Sequence, residues 1–283
     1  MTDASPSTAD KRRLFRRLHE TGCFVIPNPW DVGSARYLQG LGFHALATTS
    51  SGFAWSRARP DNGISRDMAL AHLREIVAAT DLPVNADFES GFADDAAGVG
   101  ASVRLAVETG ICGVSIEDST GDPTRPLFAL DDAVARLSAA RRAIDAAGTD
   151  VLLVGRAECF LVGRPDLDET IARLKAYAQA GADCLYAPGL RSREQIAAVV
   201  AAVAPKPFNL LVGGTSALTM AEIAALGVRR VSVGGALARV AWGGFTRAAR
   251  ELAEAGTFGG FAGAASGQEL NAFFADGPGA PPR

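Results

Sequence analysis

The sequence predicts a single (β/α)₈ barrel, and three observations support this fold class. Eight short β-rich apolar runs alternate with longer Ala- and Leu-rich stretches whose apolar residues recur at helical spacing. Strand–helix alternation gives parallel strands joined by right-handed crossovers, and eight such units in roughly 250 residues fit a closed barrel. Several of the helical stretches end on glycine directly before the next apolar run, as at Leu41-Gly42, Thr109-Gly110, Ala180-Gly181 and Leu226-Gly227.

The predicted strands follow one another along nearly the whole chain. A doubly wound open sheet is the alternative architecture, but no glycine-rich phosphate-binding turn follows the first strand, which disfavours a nucleotide-binding sheet. The eight predicted strands are Cys23–Pro27, His44–Ser50, Pro83–Phe88, Gly113–Glu117, Val151–Arg156, Cys184–Ala187, Pro207–Val212 and Arg230–Val233.

The segments outside this alternation set the domain boundaries. We expect residues 1–10 to form a disordered polar tail, residues 11–276 to form the catalytic barrel, and the Gly/Pro-rich residues 277–283 to be disordered. Two long polar connections, residues 48–64 and 119–130, follow the second and fourth strands. Long connections at the carboxyl ends of barrel strands usually carry function, so we expect lids or binding loops there.

The composition excludes several functional classes. A hydrophobic content of 48% with 21% charged residues is ordinary for a globular protein, and a net charge of −3 predicts neither nucleic-acid nor membrane binding. No apolar stretch approaches the ~20 residues needed to span a bilayer. The four cysteines lack metal-binding or redox spacing, and the N-terminus lacks an apolar signal region. We therefore expect a cytoplasmic protein.

Carboxylates follow three of the predicted strands. Asp87 lies at the end of the third strand, Glu117 and Asp118 at the end of the fourth, and Glu158 just after the fifth. Removing an unpaired carboxylate from water is costly, so acids at the ends of buried strands indicate a shared site. Mg²⁺, or Mn²⁺ in its place, prefers oxygen ligands and keeps several waters. We predict that Asp87 is a direct metal ligand and that Glu117 and Asp118 hold metal-bound water; capping of the following helices is the alternative.

Further side chains near the strand ends predict an anion site. Arg156 has the geometry to bind a carboxylate through two hydrogen bonds or to stabilise an enolate, although a structural ion pair with Glu158 is the alternative. Residues 48–52 read Thr-Thr-Ser-Ser-Gly, and their backbone N–H groups are predicted to hold a carboxylate or phosphonate; an ordinary hydroxyl-rich turn is the alternative. Asn209, in the seventh strand, is predicted to bind a second substrate carboxylate, and a turn-forming role explains it equally well.

Three motifs carry a family resemblance. Residues 85–92 read Asn-Ala-Asp-Phe-Glu-Ser-Gly-Phe, residues 117–118 read Glu-Asp, and residues 155–158 read Gly-Arg-Ala-Glu. With looser matches at residues 46–52 and 60–63, the chain resembles the isocitrate lyase/phosphoenolpyruvate mutase superfamily over nearly its whole length. In that superfamily the first motif reads Asp-x-Asp-x-Gly-Tyr-Gly.

The resemblance implies a magnesium-dependent barrel enzyme that acts on 2-oxo or 2-hydroxy carboxylates through an enolate-like pyruvate intermediate. It also implies a homotetramer in which the last helix is exchanged between neighbouring subunits. The residue roles that it implies are substrate carboxylate binding by Thr49, Ser50 and Ser51, a position beside the reacting centre for Asp61, metal binding by Asp87, a role in the metal's water shell for Glu117, and enolate stabilisation by Arg156.

The chain departs from the superfamily pattern at two places. Asn85 replaces the first Asp of the metal motif and removes one negative charge. Residues 119–128 read Ser-Thr-Gly-Asp-Pro-Thr-Arg-Pro-Leu-Phe. This loop lacks the catalytic Cys of the lyases and the Lys and Asn of the mutases. We therefore expect the reaction's proton to come from water or from this loop, with Asp122 as the candidate acid.

Three functional hypotheses follow. The leading one is a magnesium-dependent carbon–carbon lyase that cleaves a 2-hydroxy di- or tricarboxylate, such as isocitrate or 2-methylisocitrate, through an enolate-type intermediate. The second keeps the site but changes the bond, as a mutase or hydrolase of phosphonopyruvate or phosphoenolpyruvate, or as an oxaloacetate decarboxylase. The third is a 2-oxo-acid-binding protein with little catalysis.

Overall fold

The computed structural model describes residues 5–275 and confirms the (β/α)₈ barrel. Its strands are β1 (Phe24–Ile26), β2 (Leu46–Ala47), β3 (Val84–Asp87), β4 (Gly113–Glu117), β5 (Leu152–Arg156), β6 (Cys184–Tyr186), β7 (Phe208–Leu211) and β8 (Arg230–Ser232). They pair in parallel in the order β1-β8-β7-β6-β5-β4-β3-β2. At the seam between β1 and β2, the Ala47 N–H donates to the Pro27 carbonyl at 3.0 Å, so the barrel is nearly closed.

The helices lie on the outside of the strands and close the amino end of the barrel. Within the described residues they are α1 (Thr8–Leu18), α2 (Val32–Gly40), α3 (Ser50–Ser56), α4 (Arg66–Ala79), α5 (Ala96–Glu108), α6 (Leu130–Ala146), α7 (Leu167–Gln179), α8 (Arg193–Val203), α9 (Met220–Ala225), α10 (Ala236–Ala255) and α11 (Gly267–Ala275), with a 3₁₀ turn at Gly259–Gly263.

The first helix begins earlier than the sequence predicted. Ser7 caps α1 by accepting a hydrogen bond from the Asp10 N–H at 3.2 Å, which satisfies one of the free N–H groups of the first turn. Residues 8–10 are therefore helical rather than part of a disordered tail. Residues 1–4 and the predicted C-terminal tail at 277–283 lie outside the described residues.

The connection at residues 48–64 contains α3, which the sequence prediction missed. Thr49 caps this helix by accepting from the Gly52 N–H at 3.3 Å. Phe53 is buried and its ring stacks on the His72 ring of α4, with centroids 3.9 Å apart. The hydroxyl-rich start, which resembled a turn, is a helix cap, and the segment is packed on the barrel as regular structure.

The barrel interior is polar near its carboxyl end and apolar at its base. Phe15 of α1 is fully buried and packs with Phe24 and Ile26 of β1 and Leu152 of β5, so that α1 closes the amino end. Above this layer, the buried polar side chains of the strands include Asn85, Ser115, Asn209, Arg230 and Ser232. Barrel interiors are usually filled by branched apolar residues. Polar side chains therefore line the part of the barrel interior that faces the carboxyl ends of the strands.

The C-terminal helices leave apolar side chains in solvent in the single chain. Val240 and Phe245 of α10 are 72% and 64% exposed, and Phe258 is 66% exposed. Phe273 of α11 lies against Tyr37 of α2, with ring centroids 4.9 Å apart.

Residues 5–275 contain no helix that combines the length and apolarity needed to cross a bilayer.

Buried His72 gives the fold a specific pH dependence. Burial lowers its pKa to about 4, against about 6.5 in an unfolded chain. Between these pH values the unfolded state binds more protons, so this group's stabilisation is complete above pH 6.5 and falls by about 1.4 kcal/mol per pH unit towards pH 4. In urea titrations at several pH values, His72→Phe is expected to reduce the slope of the free energy of unfolding against pH over that window, leaving the part that buried His19 contributes. The control His44→Asn, at an exposed position, should retain the wild-type slope; equal slopes for wild type and His72→Phe would contradict the prediction.

Candidate active site

Arg156 joins the carboxyl ends of three strands. Its Nη1 atom lies 3.2 Å from Asp87 Oδ1 and 3.2 Å from Glu117 Oε2, and its Nε atom donates to Glu158 Oε1. The register pairs Glu117 of β4 with Arg156 of β5, which places both side chains on the same face of the sheet. The guanidinium also lies over the Tyr186 ring, 4.9 Å from its centroid. One cation therefore holds three carboxylates at the centre of the site.

Asp87 is fixed by both of its neighbouring elements. Its Oδ2 atom accepts from the Ser50 N–H at 2.9 Å and from the Ser50 hydroxyl at 3.0 Å. Its own N–H donates to the Thr48 hydroxyl at 2.9 Å. Oδ1 faces Arg156. The first turn of α3 thus orients the carboxylate that we predicted to bind a metal.

A cavity of about 170 Å³ opens above this cluster. Most of the predicted binding residues line it, since Thr49, Ser50, Ser51, Asp61, Asp87 and Arg156 all face the same space. Asp61 lies at an exposed position near Asp87. Partial desolvation, and then the nearby Asp87 carboxylate, raise the pKa of Asp61.

The sequence prediction missed Arg230, which lies in the floor of the cavity and is 2% exposed. Its Nε atom donates to Asn209 Oδ1 at 2.7 Å, and its Nη1 atom lies 3.4 Å from both Asn85 Oδ1 and His19 Nε2. These partners are neutral, because burial and then Arg230 itself lower the pKa of His19 to about 3. A buried guanidinium held only by neutral groups retains its attraction for an anion. The sequence feature that could have identified Arg230 is its position as a charged residue at the start of the apolar eighth strand.

Asn28 is a second residue without a predicted role, and it closes the cavity at the barrel seam. Its Oδ1 atom accepts from the N–H groups of Val233 at 2.9 Å and Gly234 at 2.8 Å, and its Nδ2 atom donates to the Thr48 carbonyl at 2.9 Å. The side chain therefore links the ends of β1, β2 and β8. Its signal was a lone amide directly after the first apolar run.

Asp118 does not join the carboxylate cluster, which corrects its predicted role in the metal's water shell. Its Oδ1 atom accepts from the Glu158 N–H at 2.8 Å. Its Oδ2 atom lies 3.0 Å from Arg173 Nη1 and accepts from the Tyr177 hydroxyl at 2.5 Å. Successive side chains of a strand point to opposite faces, so Glu117 faces the barrel interior and Asp118 faces α7. Asp118 anchors that helix to the barrel.

The Asp118 contacts predict a stability defect. In Asp118→Asn the buried Arg173 keeps its ion pair with Glu169 but loses the charge of Asp118, and we expect the free energy of unfolding to fall by about 2–3 kcal/mol. Urea denaturation measures this loss. The matched control is Asp150→Asn, because Asp150 pairs with Arg16 at a half-exposed position where an ion pair contributes about 1 kcal/mol or less. Equal losses in the two variants would contradict the assignment.

Two further predicted residues lie away from the cavity. Asp122 is exposed, and its Oδ1 atom accepts from the Thr124 N–H at 2.8 Å and hydroxyl at 2.7 Å. The hydroxyl contact lowers the pKa of Asp122, so it is ionised near neutral pH and has no proton to donate. Asn209 is fully buried, and its amide is used by Arg230 and by the Ser232 hydroxyl. Neither residue lines the cavity.

The cluster has the charge to hold a divalent cation. Asp87, Glu117 and Glu158 share one arginine, and the buried Glu89 Oε1 atom nearby has no hydrogen-bond partner in the part of the chain that the structure describes. Burial raises the pKa of Glu117, an effect that Arg156 opposes. Within residues 5–275 no group of three or more His, Cys, Asp or Glu side chains is arranged for direct ligation. The donor set, made of carboxylate oxygens, fits Mg²⁺, which needs only one or two carboxylates and keeps its other ligands as water.

Acidic strand ends that share one arginine above a polar cavity define a barrel enzyme for a small anionic substrate. The phosphoenolpyruvate phosphomutase family model matches residues 15–253, and the chain belongs to this family, within the isocitrate lyase/phosphoenolpyruvate mutase superfamily of lyases and mutases. The resemblance stated from the motifs is confirmed, and so is the prediction that the protein is an enzyme.

Similar proteins cover most of the chain. A crystal structure of a candidate lyase/mutase from Burkholderia cenocepacia J2315 is 50% identical, with a TM-score of 0.93 over 97% of this chain and 99% of that one. The oxaloacetate decarboxylase of Paraburkholderia xenovorans (strain LB400) is 31% identical over 236 residues, which are 79% of this chain and 75% of that protein. The 2-methylisocitrate lyase of Escherichia coli (strain K12) is 31% identical over 165 residues, 55% of this chain and 54% of that protein.

Proposed function

We propose that this protein is a Mg²⁺-dependent carbon–carbon lyase that cleaves a small 2-hydroxy or 2-oxo dicarboxylate through an enolate-type intermediate. The observation that carries the proposal is the shared contact of Asp87 and Glu117 with Arg156 beside a cavity of about 170 Å³. Carboxylates supply a cation site, and the guanidinium supplies a positive charge for an enolate oxygen. The volume favours small acids among the di- and tricarboxylates considered from the sequence.

Asp87 and Glu117 are the residues that would hold Mg²⁺, or Mn²⁺ in its place. Asp87 would bind directly, since Ser50 and Arg156 already orient its two oxygens, and Glu117 would bind through coordinated water. When bound, the cation would supply positive charge beside the substrate oxygen at C2, which would acidify the hydroxyl of a 2-hydroxy acid or polarise the carbonyl of a 2-oxo acid.

Arg156 would stabilise the developing enolate oxygen. Its guanidinium is held by three carboxylates and by Tyr186, so it is positioned before the substrate arrives. A preorganised charge in a site with little water stabilises a transition state without reorganisation at the moment of reaction.

The substrate's two carboxylates would occupy opposite parts of the cavity. The hydroxyls of Thr49 and Ser51, 3.2 Å apart, would hold the carboxylate next to the reacting carbon, with Asp61 beside it. Arg230 in the floor would attract the second carboxylate, because its other partners are neutral. A buried cation recovers its desolvation cost when it pairs with an anion, which favours a dianionic substrate.

Decarboxylation of oxaloacetate is a second candidate reaction, favoured by the position of Asp122. Retro-aldol cleavage of a 2-hydroxy acid needs a base for the hydroxyl proton and an acid for the leaving carbanion. Asp122 is ionised and lies outside the cavity lining. Loss of CO₂ from a 2-oxo acid needs no proton on the leaving group, and water can protonate the enolate afterwards.

Product analysis distinguishes these reactions. Purified protein with saturating Mg²⁺ is incubated separately with isocitrate, 2-methylisocitrate, oxaloacetate and phosphonopyruvate, and followed by proton and phosphorus NMR. Release of a 2-oxo acid from one of the first three acids, abolished by EDTA and restored by Mg²⁺, is the expected result. Phosphorus transfer or hydrolysis would identify the mutase or hydrolase alternative. Tight Mg²⁺-dependent binding of oxalate without turnover of any acid would overturn the lyase proposal.

The proposal includes assembly into a homotetramer in the cytoplasm. The exposed apolar side chains of α10 and of Phe258 support burial against a second copy of the chain, as in the helix exchange implied by the family resemblance. The four cysteines are all free thiols, which suits a reducing compartment. Sedimentation equilibrium measures the assembly state.

A further inference from the structure

Glu89, two residues beyond Asp87, has a strained backbone. Its φ is +47°, in the left-handed region that favours glycine because a Cβ atom crowds the backbone there. The superfamily pattern carries Gly at this position of the motif. Gly91 and Phe92, which follow, also have positive φ values of 92° and 52°. Strain at a buried residue persists only where surrounding contacts enforce it, and it is concentrated at functional sites.

The Glu89 side chain points into a region that is already negative. It is 9% exposed, and its Oε1 atom has no hydrogen-bond partner among residues 5–275. The carboxylates of Asp87 and Asp61 lie close enough to repel it. Arg156 cannot neutralise it fully, because that guanidinium already contacts three other carboxylates. A buried carboxylate oxygen without a partner is costly and is normally paired with a cation or a donor.

Asn85, at the other end of the same motif, contributes no negative charge. Its Nδ2 atom donates to the Ala86 carbonyl at 3.0 Å and to the Ser115 hydroxyl at 3.3 Å, and its Oδ1 atom lies 3.4 Å from Arg230 Nη1. These contacts turn the amide towards the barrel interior. Asp87 and Glu89 are therefore the two acids that this segment offers to the cluster.

We infer that Glu89 belongs to the divalent-cation site, where it holds a water coordinated to the cation and supplies the negative charge that Asn85 lacks. The inference rests on the proposed function, since it requires a cation at Asp87. We assign Glu89 to a coordinated water and not to the cation itself, because Mg²⁺ keeps most of its ligands as water. This role explains the positive φ of Glu89, because a residue with ordinary φ at this point of the loop would direct its side chain elsewhere.

Cation binding without substrate tests the inference. The free Mn²⁺ signal in electron paramagnetic resonance gives the dissociation constant, and competition by Mg²⁺ gives its affinity. Glu89→Gln, which keeps the shape of the side chain, is expected to raise the dissociation constant by about 10–100-fold, the usual effect of losing an outer-shell partner. The matched control is Glu108→Gln, which removes an exposed carboxylate on the outer face of the barrel and should leave the constant unchanged.

Thermal unfolding supplies a second measurement, in which a cation-site role and a purely structural role of Glu89 predict different changes in Tm. Without a cation, Glu89→Gly removes both the buried carboxylate and the strain of a side chain at positive φ, so we expect Tm to rise by about 2–4 °C. The increase in Tm produced by saturating Mg²⁺ should be smaller in this variant than in the wild type. A structural residue would instead lower Tm and leave the Mg²⁺ effect unchanged.

The outcomes separate this inference from the proposed function. Wild-type protein that binds neither Mn²⁺ nor Mg²⁺ would overturn both. Wild-type binding at Asp87, lost in Asp87→Asn but unchanged in Glu89→Gln, would overturn the inference about Glu89 and leave the lyase proposal standing. Weakened cation binding in both variants supports both proposals, provided that Glu89→Gly raises Tm without a cation and shows a smaller Mg²⁺-dependent increase in Tm than the wild type.

Discussion

Asp87→Asn is expected to lower kcat/KM by at least about 10³-fold on whichever acid the enzyme cleaves, a loss of about 4 kcal/mol in transition-state stabilisation. Among the described residues, Asp87 is the one carboxylate that contacts both the first turn of α3 and Arg156. The amide keeps an acceptor oxygen but places N–H donors against the donor groups of Ser50 or Arg156, and it removes the charge that a cation requires. Steady-state kinetics and Mn²⁺ binding on the same preparation measure both losses.

Asp122→Asn is the matched control for Asp87→Asn. Asp122, like Asp87, is an acid near the carboxyl end of a strand, but it is exposed and bonded within its own loop to Thr124. We expect wild-type kinetics and cation affinity from this variant. If Asp87→Asn binds Mn²⁺ normally and retains kcat/KM within tenfold of the wild type, Asp87 is not the cation's ligand.

Arg156→Lys is expected to lower kcat by about 10²–10³-fold, in the range seen when one preorganised donor to a developing oxyanion is removed. Lysine keeps a positive charge, yet its single ammonium cannot reproduce the Nη1 contacts to Asp87 and Glu117 together with the Nε contact to Glu158. Since the charge remains, KM should change less than kcat. Rapid-quench single-turnover kinetics measure the bond-breaking step directly.

Two further variants make the Arg156 result interpretable. Arg125→Lys, at an exposed position in the loop of residues 119–130, controls for the substitution itself and should leave kcat unchanged. Arg156→Met leaves three buried carboxylates without their cation and should lower the free energy of unfolding by about 3–5 kcal/mol. A kcat for Arg156→Lys close to the wild-type value would contradict a catalytic role for Arg156 and assign it to a structural ion pair.

The strand pattern was readable from the sequence because parallel barrel strands are buried on both faces. Each of the eight predicted apolar runs overlaps an observed strand, and the fourth, Gly113–Glu117, has the predicted bounds. Short continuous apolar runs separated by helical periodicity leave few other arrangements. The same order explains why Asp87, Glu117 and Arg156 meet, since the carboxyl ends of parallel strands lie on one face of a barrel.

Neighbouring acids were harder to assign. Glu117 and Asp118 are adjacent in sequence, and the alternation of side chains along a strand sends one inward and the other to Arg173 and Tyr177 of α7. The alternation of side chains along a strand could have been applied to the sequence, but Arg173 and Tyr177 lie 55 and 59 residues from Asp118. Asp122 was chosen because its loop lacked other acids, and only its hydrogen bonds to Thr124 exclude it from the cavity.

The sequence by itself determined the barrel, the family and the set of strand-end residues that meet above it, because these depend on periodicity and on motifs local in the chain. The tertiary structure decided which of those residues share the cavity, and it added Arg230 and the strained Glu89. The role of Arg230 depends on its contacts with Asn209, Asn85 and His19. These residues come from two other strands and the N-terminal helical segment. Burial and long-range partners decide the charge and direction of a side chain, and neither is encoded in its neighbours along the chain.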